Sequence, residues 1–307
     1  MTAALRIGTR GSRLALAQAE WVRQRLEHAH PGLRAELVVI KTSGDRIRDV
    51  PLYELGGKGL FVKELESALA DGTIDCAVHS LKDVPGELAP GLVIAAVPER
   101  EDARDVVVTR GAGGLVALPS GARAGTSSPR RAALLRAWRP QLDVVNLRGN
   151  VDTRLAKLAA GDVDALVLAA AGLHRLGVAP PYAEPCDPEQ FVPAIGQGAL
   201  ALESRPGAVA ERVAAIEHRP SRLAVDAERA FLTAVGGTCV TPLAAHATIA
   251  GDRLTLRALI AHPDGTRLVR GEEVGDASAG TRIGRELGER LLRGGGAELL
   301  RELGLPP

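Results

Sequence analysis

The sequence predicts an α/β protein of two lobes around a cleft, followed by a smaller α+β domain. Three observations predict it: short apolar runs alternate with amphipathic stretches over the first 170 residues or so, two segments offer crossing points between lobes, and the pattern changes after about residue 220. The runs 5–7, 36–41, 74–78, 92–97, 105–109, 122–125, 142–147 and 163–169 read as strands. Several are too apolar throughout for a sheet with one wet face, so helices are expected on both faces. Helical spacing marks 14–28, stopped by Pro31-Gly32; 61–70, stopped by Gly72; 130–138, stopped by Pro140; and 152–158, stopped by Gly161. The polar stretch Pro98-Glu99-Arg100-Glu101-Asp102 separates two such series, and 193–198 offers a second crossing, which implies two lobes with a cleft. Beyond 220 a helix at 223–234 leads to a glycine loop. Runs at 243–249 and 253–260 follow, with turns at Gly251-Asp252 and Asp264-Gly265 that suggest hairpins, and a final helix starts near 279.

Composition narrows the function. A chain of 307 residues has room for about two domains of roughly 150 residues and buries its core without staples. Three widely spaced cysteines, Cys76, Cys186 and Cys239, fit neither a disulfide framework nor a zinc site and favour a reducing compartment. The first residues lack an apolar core, and no run approaches the roughly 18 residues of a membrane span, so a cytoplasmic protein is expected. A net charge of +1 and only seven aromatic residues argue against a nonspecific nucleic-acid binder. Only five of the 38 basic residues are lysines (41, 58, 63, 82 and 157), leaving 33 arginines. Arginine's planar fork suits carboxylates and phosphates, although codon bias produces the same excess, so position has to decide. Seven histidines without i, i+4 spacing predict no metal. Gly196-Gln197-Gly198 and Gly56-Gly57-Lys58-Gly59 lack the spacing of nucleotide loops.

Three constellations carry chemistry. His79-Ser80-Leu81-Lys82-Asp83-Val84-Pro85 brings a base, a hydroxyl, a cation and a carboxylate to one strand end, where the plainer reading is a polar turn. Gly125-Thr126-Ser127-Ser128-Pro129-Arg130-Arg131 follows a strand and opens a helix with serine at the N-cap and proline at N1. Free N–H groups, the positive helix end and two arginines make it an anion site, or else an ordinary capped helix. Leu147-Arg148-Gly149-Asn150-Val151-Asp152-Thr153-Arg154 repeats the device. Gly236-Gly237-Thr238-Cys239-Val240-Thr241-Pro242 sets a cysteine on a glycine loop, where glycines permit close approach.

Together these motifs resemble the porphobilinogen deaminase family. So do Thr9-Arg10-Gly11-Ser12, Gly56 to Leu65, Ala171-Gly172-Leu173-His174-Arg175-Leu176-Gly177 and Gly196-Gln197-Gly198, so the resemblance spans nearly the whole chain. It implies two lobes like those of periplasmic binding proteins, with mixed sheets: 1–98 with a return segment 199–219, then 103–194, then an α+β domain at 221–307. It implies a transferase that condenses four porphobilinogen molecules head to tail with loss of ammonia and frees hydroxymethylbilane by hydrolysis. A dipyrromethane cofactor would hang by a thioether from Cys239, an anchor and not a turnover nucleophile. Asp83 matches the catalytic carboxylate, which would stabilise the cationic azafulvene left by ammonia and relay the proton lost on rearomatisation. Lys82, Asp83, Ser127, Ser128, Arg130, Arg131, Arg148, Gly149 and Arg154 match cofactor contacts. Arg10, Ser12, Gln18, Lys58, Arg148, Arg154 and Arg175 match substrate contacts, and Asp45 and Gln197 are lesser candidates. His79 beside Asp83 reads as a cap on its own strand end or as an aid to proton transfer. A monomer is expected, with no nucleic acid, membrane or metal.

Two departures stand out: the glycines precede Thr238 and not the anchor cysteine directly, and Leu52-Tyr53-Glu54-Leu55 carries an acid where some relatives carry a base. The stretch 42–60 reads as a flexible lid. The rival readings are a solute-binding protein for a polycarboxylate, lacking catalysis, and a cysteine-nucleophile transferase open to thiol reagents.

Overall fold

The computed structural model describes residues 4–42, 62–237 and 241–305. The first series runs β1 (Leu5–Thr9), α1 (Arg13–Ala29), β2 (Ala35–Val39), α2 (Lys63–Ala70), β3 (Cys76–Ser80) and β4 (Val93–Ala96). The second runs β5 (Asp105–Thr109), β6 (Arg123–Gly125), α3 (Pro129–Trp138), β7 (Asp143–Val145), α4 (Val151–Ala160), β8 (Ala165–Ala169), α5 (Ala170–Leu176) and β9 (Ala183–Pro185). The chain returns through β10 (Leu200–Ser204) and α6 (Ala208–Val213). It ends with α7 (Arg219–Val235), β11 (Leu243–Ala250), β12 (Arg253–Ala261), β13 (Leu268–Asp276), α8 (Gly280–Leu291) and α9 (Ala297–Glu302).

Two five-stranded sheets share one plan. In the first, ordered β2-β1-β3-β10-β4, β1 runs parallel to β2 and β3 while β10 lies antiparallel between β3 and β4. In the second, ordered β7-β6-β8-β5-β9, β6 runs parallel to β7 and β8 while β5 lies antiparallel between β8 and β9. Each reversed strand is the one the chain enters just after crossing from the other lobe. All five residues of β5 are buried, as are all of β10, so both sheets are covered on both faces there. The third sheet, β11-β12-β13, is antiparallel and packs one face on Phe231, Ile283 and Leu287 of α7 and α8. Ala244, Leu259 and Ala261 on its other face join Phe191 and Leu134 in the core of the second lobe.

The crossings are tied tightly. Glu101 N donates to Gly198 O at 3.2 Å, and Gly198 has φ +85°, where a Cβ would stand 2.3 Å from Glu101 O. Only glycine fits there. Glu228 on α7, fully buried, then fastens both crossings to the third domain. It accepts Arg100 Nη1 at 2.7 Å and Ala247 N at 2.8 Å on Oε1, and Gly196 N at 2.7 Å on Oε2. Arg100 also donates Nε to Gln197 O at 2.8 Å.

Removing one partner of a buried ion pair strands the other, at a cost of about 3–5 kcal/mol, whereas exposed helix pairs are worth less than about 1 kcal/mol. Glu228→Ala should therefore lower the stability measured by urea unfolding by several kcal/mol. Glu286→Ala, which breaks the exposed Arg282–Glu286 pair, should leave it nearly unchanged.

Candidate active site

A cleft of about 1570 Å³ opens between the two lobes, with the third domain at its rim. Its cationic lining is Arg10, Arg13, Lys41, Lys63, Lys82, Arg130, Arg131, Arg148, Arg154, Lys157 and Arg175; its acids are Glu66, Asp83, Glu87 and Asp152. Such an excess of positive charge in a walled space focuses the field on an anionic ligand.

Asp83 ends a single 3₁₀ turn, Leu81–Asp83, directly after β3. Leu81 N donates to Ala199 O at 3.0 Å. A Cβ on Gly196, at φ +69°, would meet Leu81 Cδ2 at 2.1 Å, so the second crossing packs flush against this turn. Arg229 of α7 clamps its far end by donating Nη2 to Pro85 O at 2.8 Å and Gly86 O at 3.0 Å. The carboxylate is thus presented to the cleft by a turn held from two sides. Beside it, Lys82 is half-buried; burial, with Arg131 acting the same way and Asp83 opposing, brings its pKa down to about 8.

Serine and asparagine caps set the anion sites. Ser12 accepts from Ala15 N at 3.2 Å and starts α1; Ser128 accepts from Arg131 N at 3.4 Å, with Pro129 at N1 of α3; Asn150 accepts from Thr153 N at 2.9 Å and starts α4. Three helix N-termini therefore face the cleft with Ser12, Ser127, Ser128, Arg148 and Gly149 among its lining. Gly149 holds φ +124°, and Arg154 Nε returns to its carbonyl at 2.8 Å. Burial lowers the Arg154 pKa to about 10, and Arg131 and Arg148 push the same way. Arg175 donates Nη2 to Gly198 O at 2.7 Å, and burial, opposed by Glu101, brings it also to about 10. Burial is the first cause of both shifts, a cost that a bound anion would offset.

Arg130 and Arg131 have a partner that the sequence reading overlooked. Both are buried, and both pair with Asp105 at the start of β5: Arg130 Nη1 with Oδ2 at 2.8 Å, Arg131 Nη2 with Oδ1 at 2.7 Å. Arg131 further donates Nη1 to Val167 O at 2.9 Å, and Arg130 donates Nη1 to Val192 O at 2.8 Å. Each fork is therefore shared between Asp105 and the cleft that both residues line. One carboxylate against two guanidiniums still leaves a positive charge in the cleft wall, and Arg130 Nε is buried without a partner. Gln197 also resolves as structure: its Nε2 donates to Ala103 O at 2.7 Å and to Asp105 Oδ1 at 3.1 Å. Gln18, buried on α1, pairs with Ser80 at 2.9 Å on the cleft wall. A lone acid opening the apolar run Asp105-Val106-Val107-Val108 was the signal available for this counter-ion.

His79 neither caps its strand nor reaches for Asp83. It lies within β3 and pairs Nε2 with Glu203 Oε2 at 2.9 Å in the core, diagonal to it in the β3–β10 register. At the cleft mouth Arg13 meets Asp152 at 2.9 Å, joining the starts of α1 and α4 across the lobes. Cys239, Thr238, Lys58, Asp45 and, apart from Thr42, the stretch 42–60 lie outside the described residues. The flanks of the cysteine loop do line the cleft: Gly236, Gly237 and Thr241. Gly236 closes α7 at φ +68°, which favours glycine, while a Cβ on Gly237 would stand 2.0 Å from Leu243 Cδ1 and require that side chain to shift. Among the described residues no group of three His, Cys, Asp or Glu side chains has the arrangement of a metal site.

Fold and site define a class: a two-lobed protein with an interlobe cleft whose cationic lining suits a small anionic molecule. Comparison with known proteins specifies it. The family model "Porphobilinogen deaminase, dipyromethane cofactor binding domain" matches residues 5–211, and "Porphobilinogen deaminase, C-terminal domain" matches 222–293. The chain belongs to the porphobilinogen deaminase family, transferases of porphyrin biosynthesis with a dipyrromethane cofactor. It is 52% identical to the porphobilinogen deaminase of Syntrophotalea carbinolica over 100% of this chain and 98% of that one. It is 49% identical to that of Syntrophobacter fumaroxidans over 97% of each. Among solved structures it is similar, at TM-score 0.44 and 11% identity, to a probable amino-acid ABC transporter extracellular-binding protein of Bacillus subtilis, over 69% of this chain and 89% of that one.

The cleft fits the cofactor: an excess of cations over acids, cap-bearing helix starts and a glycine loop at the rim suit a short chain of pyrroles carrying carboxylates. Asp105 controls the charge beneath it. Burial alone would raise its carboxyl, but Arg130 and Arg131 pull it down from 3.8 to about 2. A depressed acid contributes stability above its unfolded pKa and loses it as pH falls through the folded one. The stability gap between wild type and Asp105→Asn, followed by urea unfolding, should therefore be widest above about pH 4 and narrow toward pH 2.

Proposed function

We propose that the protein extends a dipyrromethane primer, anchored by thioether on Cys239, by four porphobilinogen units and then releases hydroxymethylbilane by hydrolysis, with Asp83 as the catalytic carboxylate. The observation that carries this reading is Asp83, set on a clamped turn in a cleft of many cations. The primer, when bound, would supply the ring carbon that attacks the first unit, and each added ring supplies it for the next. In each round the C–N bond of the substrate's protonated aminomethyl group breaks and ammonia leaves. A C–C bond then forms, and the proton on the attacking ring carbon is lost.

Asp83 faces the positive charge that develops on the substrate methylene and accepts the ring proton. Arg148, Arg154 and Arg175, with Lys82, Arg10 and the cap-bearing starts of α1, α3 and α4, bind carboxylates. Ser127, Ser128 and Gly149 shape the cofactor end, while Arg130 and Arg131 act over their shared Asp105. Ser12 and Gln18 line the substrate side, and Lys58 is kept from the motif alone. The chain would divide as 1–98 with 199–219, 103–194 and 221–307, a division that the three separate sheets support. A cytoplasmic monomer without nucleic-acid or membrane partners completes the proposal. The net charge of +1 supports the lack of a nucleic-acid partner and the widely spaced cysteines the reducing compartment, the monomer resting on the family resemblance; no helix among the described residues is long and apolar enough to cross a membrane.

Intact mass of the denatured, freshly purified protein tests the anchor. Wild type should carry the surplus of two linked pyrroles and Cys239→Ser should not. An unmodified wild type that also stays unmodified after incubation with porphobilinogen would sink the reading. Asp83→Asn should still bind a carboxylate-bearing pyrrole while losing turnover by about 10²–10⁴-fold, the scale of general acid–base work. Turnover near the wild-type rate would show that Asp83 is not the catalytic group.

A further inference from the structure

We propose that Lys41, Lys63 and Lys157 form a movable carboxylate-holding end of the cleft, which takes the rings added to the growing chain after the first. The inference rests on the primer-extension reading and deepens it. Lysine is scarce here, five residues against 33 arginines. Four of the five, at 41, 63, 82 and 157, fall among the described residues, and all four line this one cleft. A chain that uses arginine almost everywhere, yet keeps lysine around one cavity, points to a task for which the guanidinium is the poorer choice.

Bonding separates the two kinds of cation. Arg13, Arg131, Arg154 and Arg175 are each held by a protein acceptor: Asp152, Asp105, Gly149 O and Gly198 O. Among the described residues, no hydrogen bond or ion pair ties down the ammonium of Lys41, Lys63 or Lys157. A held fork fixes a carboxylate at one place, whereas an ammonium on a four-carbon stem follows a carboxylate as it shifts. The reaction requires both. The tethered primer keeps its place, while every addition brings an acetate and a propionate to a new position.

Placement agrees. Lys157 lies three residues beyond Arg154 on α4, so it extends the same face by about 4.5 Å along the axis. Lys63 opens α2 and Lys41 follows β2, so the mobile cations stand on elements of both lobes.

The test compares holoenzyme carrying Lys41→Gln, Lys63→Gln and Lys157→Gln, singly and together, with wild type. Each is mixed with four equivalents of porphobilinogen and quenched in time, and intact mass counts the rings added. In the triple variant the ratio of fourth-step to first-step rate constants should fall about tenfold or more, the scale of one charge-assisted contact. Species with two or three added rings should accumulate, and a Lys-to-Arg series should recover part of the loss. Equal slowing of all four steps, as from general damage, or no change in the ratio would overturn the inference while leaving the primer reading intact. A wild type without the ladder of masses would overturn that reading, and this inference with it.

Discussion

The cleft depends on one buried carboxylate. Gathering many cations around a cavity is self-repelling, and two guanidiniums of consecutive residues on α3 would not stay buried by themselves. Asp105 holds both, and it does so from the first residue of the strand that the chain enters on arriving in the second lobe. Gln197, from the opposite crossing, donates at 3.1 Å to Oδ1, the oxygen that Arg131 uses. The charge balance of the site and the joint between the lobes are therefore one construction. Glu228 does for the third domain what Asp105 does for the cleft, tying Arg100, Gly196 and Ala247 to a single carboxylate.

Much of this was legible in residue order. Alternating apolar runs located β5 to the residue and β1, β3, β6 and β8 within two, because strands buried on both faces leave an uninterrupted apolar signal. The caps Ser128 and Asn150 and the stop at Gly161 mark their helix ends through local bonding that sequence records directly. β9 escaped because Ala183, Glu184 and Pro185 are all exposed and give no alternation, and β10, read only as part of the return segment 199–219, because Glu203 and Ser204 are polar though buried.

Site residues divide on the same line. Asp83, Lys82, Ser127, Ser128 and Arg154 sit on strand ends and helix starts, where local pattern predicts position. Partnerships across the fold do not show in pattern. His79 looked like a strand-end group until Glu203, 124 residues later, placed it in the core, and the partner of Arg130 and Arg131 lies 25 and 26 residues upstream. Gly196-Gln197-Gly198 was legible as a crossing point, but not its contact with the other crossing. It is the seam where two crossings touch, with positive φ at both glycines.

The Arg13–Asp152 bridge carries a different kind of consequence. Its side chains are 60% and 44% exposed, and a solvated pair of this sort is worth about 0–1 kcal/mol, on the order of one unit of thermal energy. A fastening that weak joins the two rims without locking them, and salt concentration, through screening, sets how firmly they rest together.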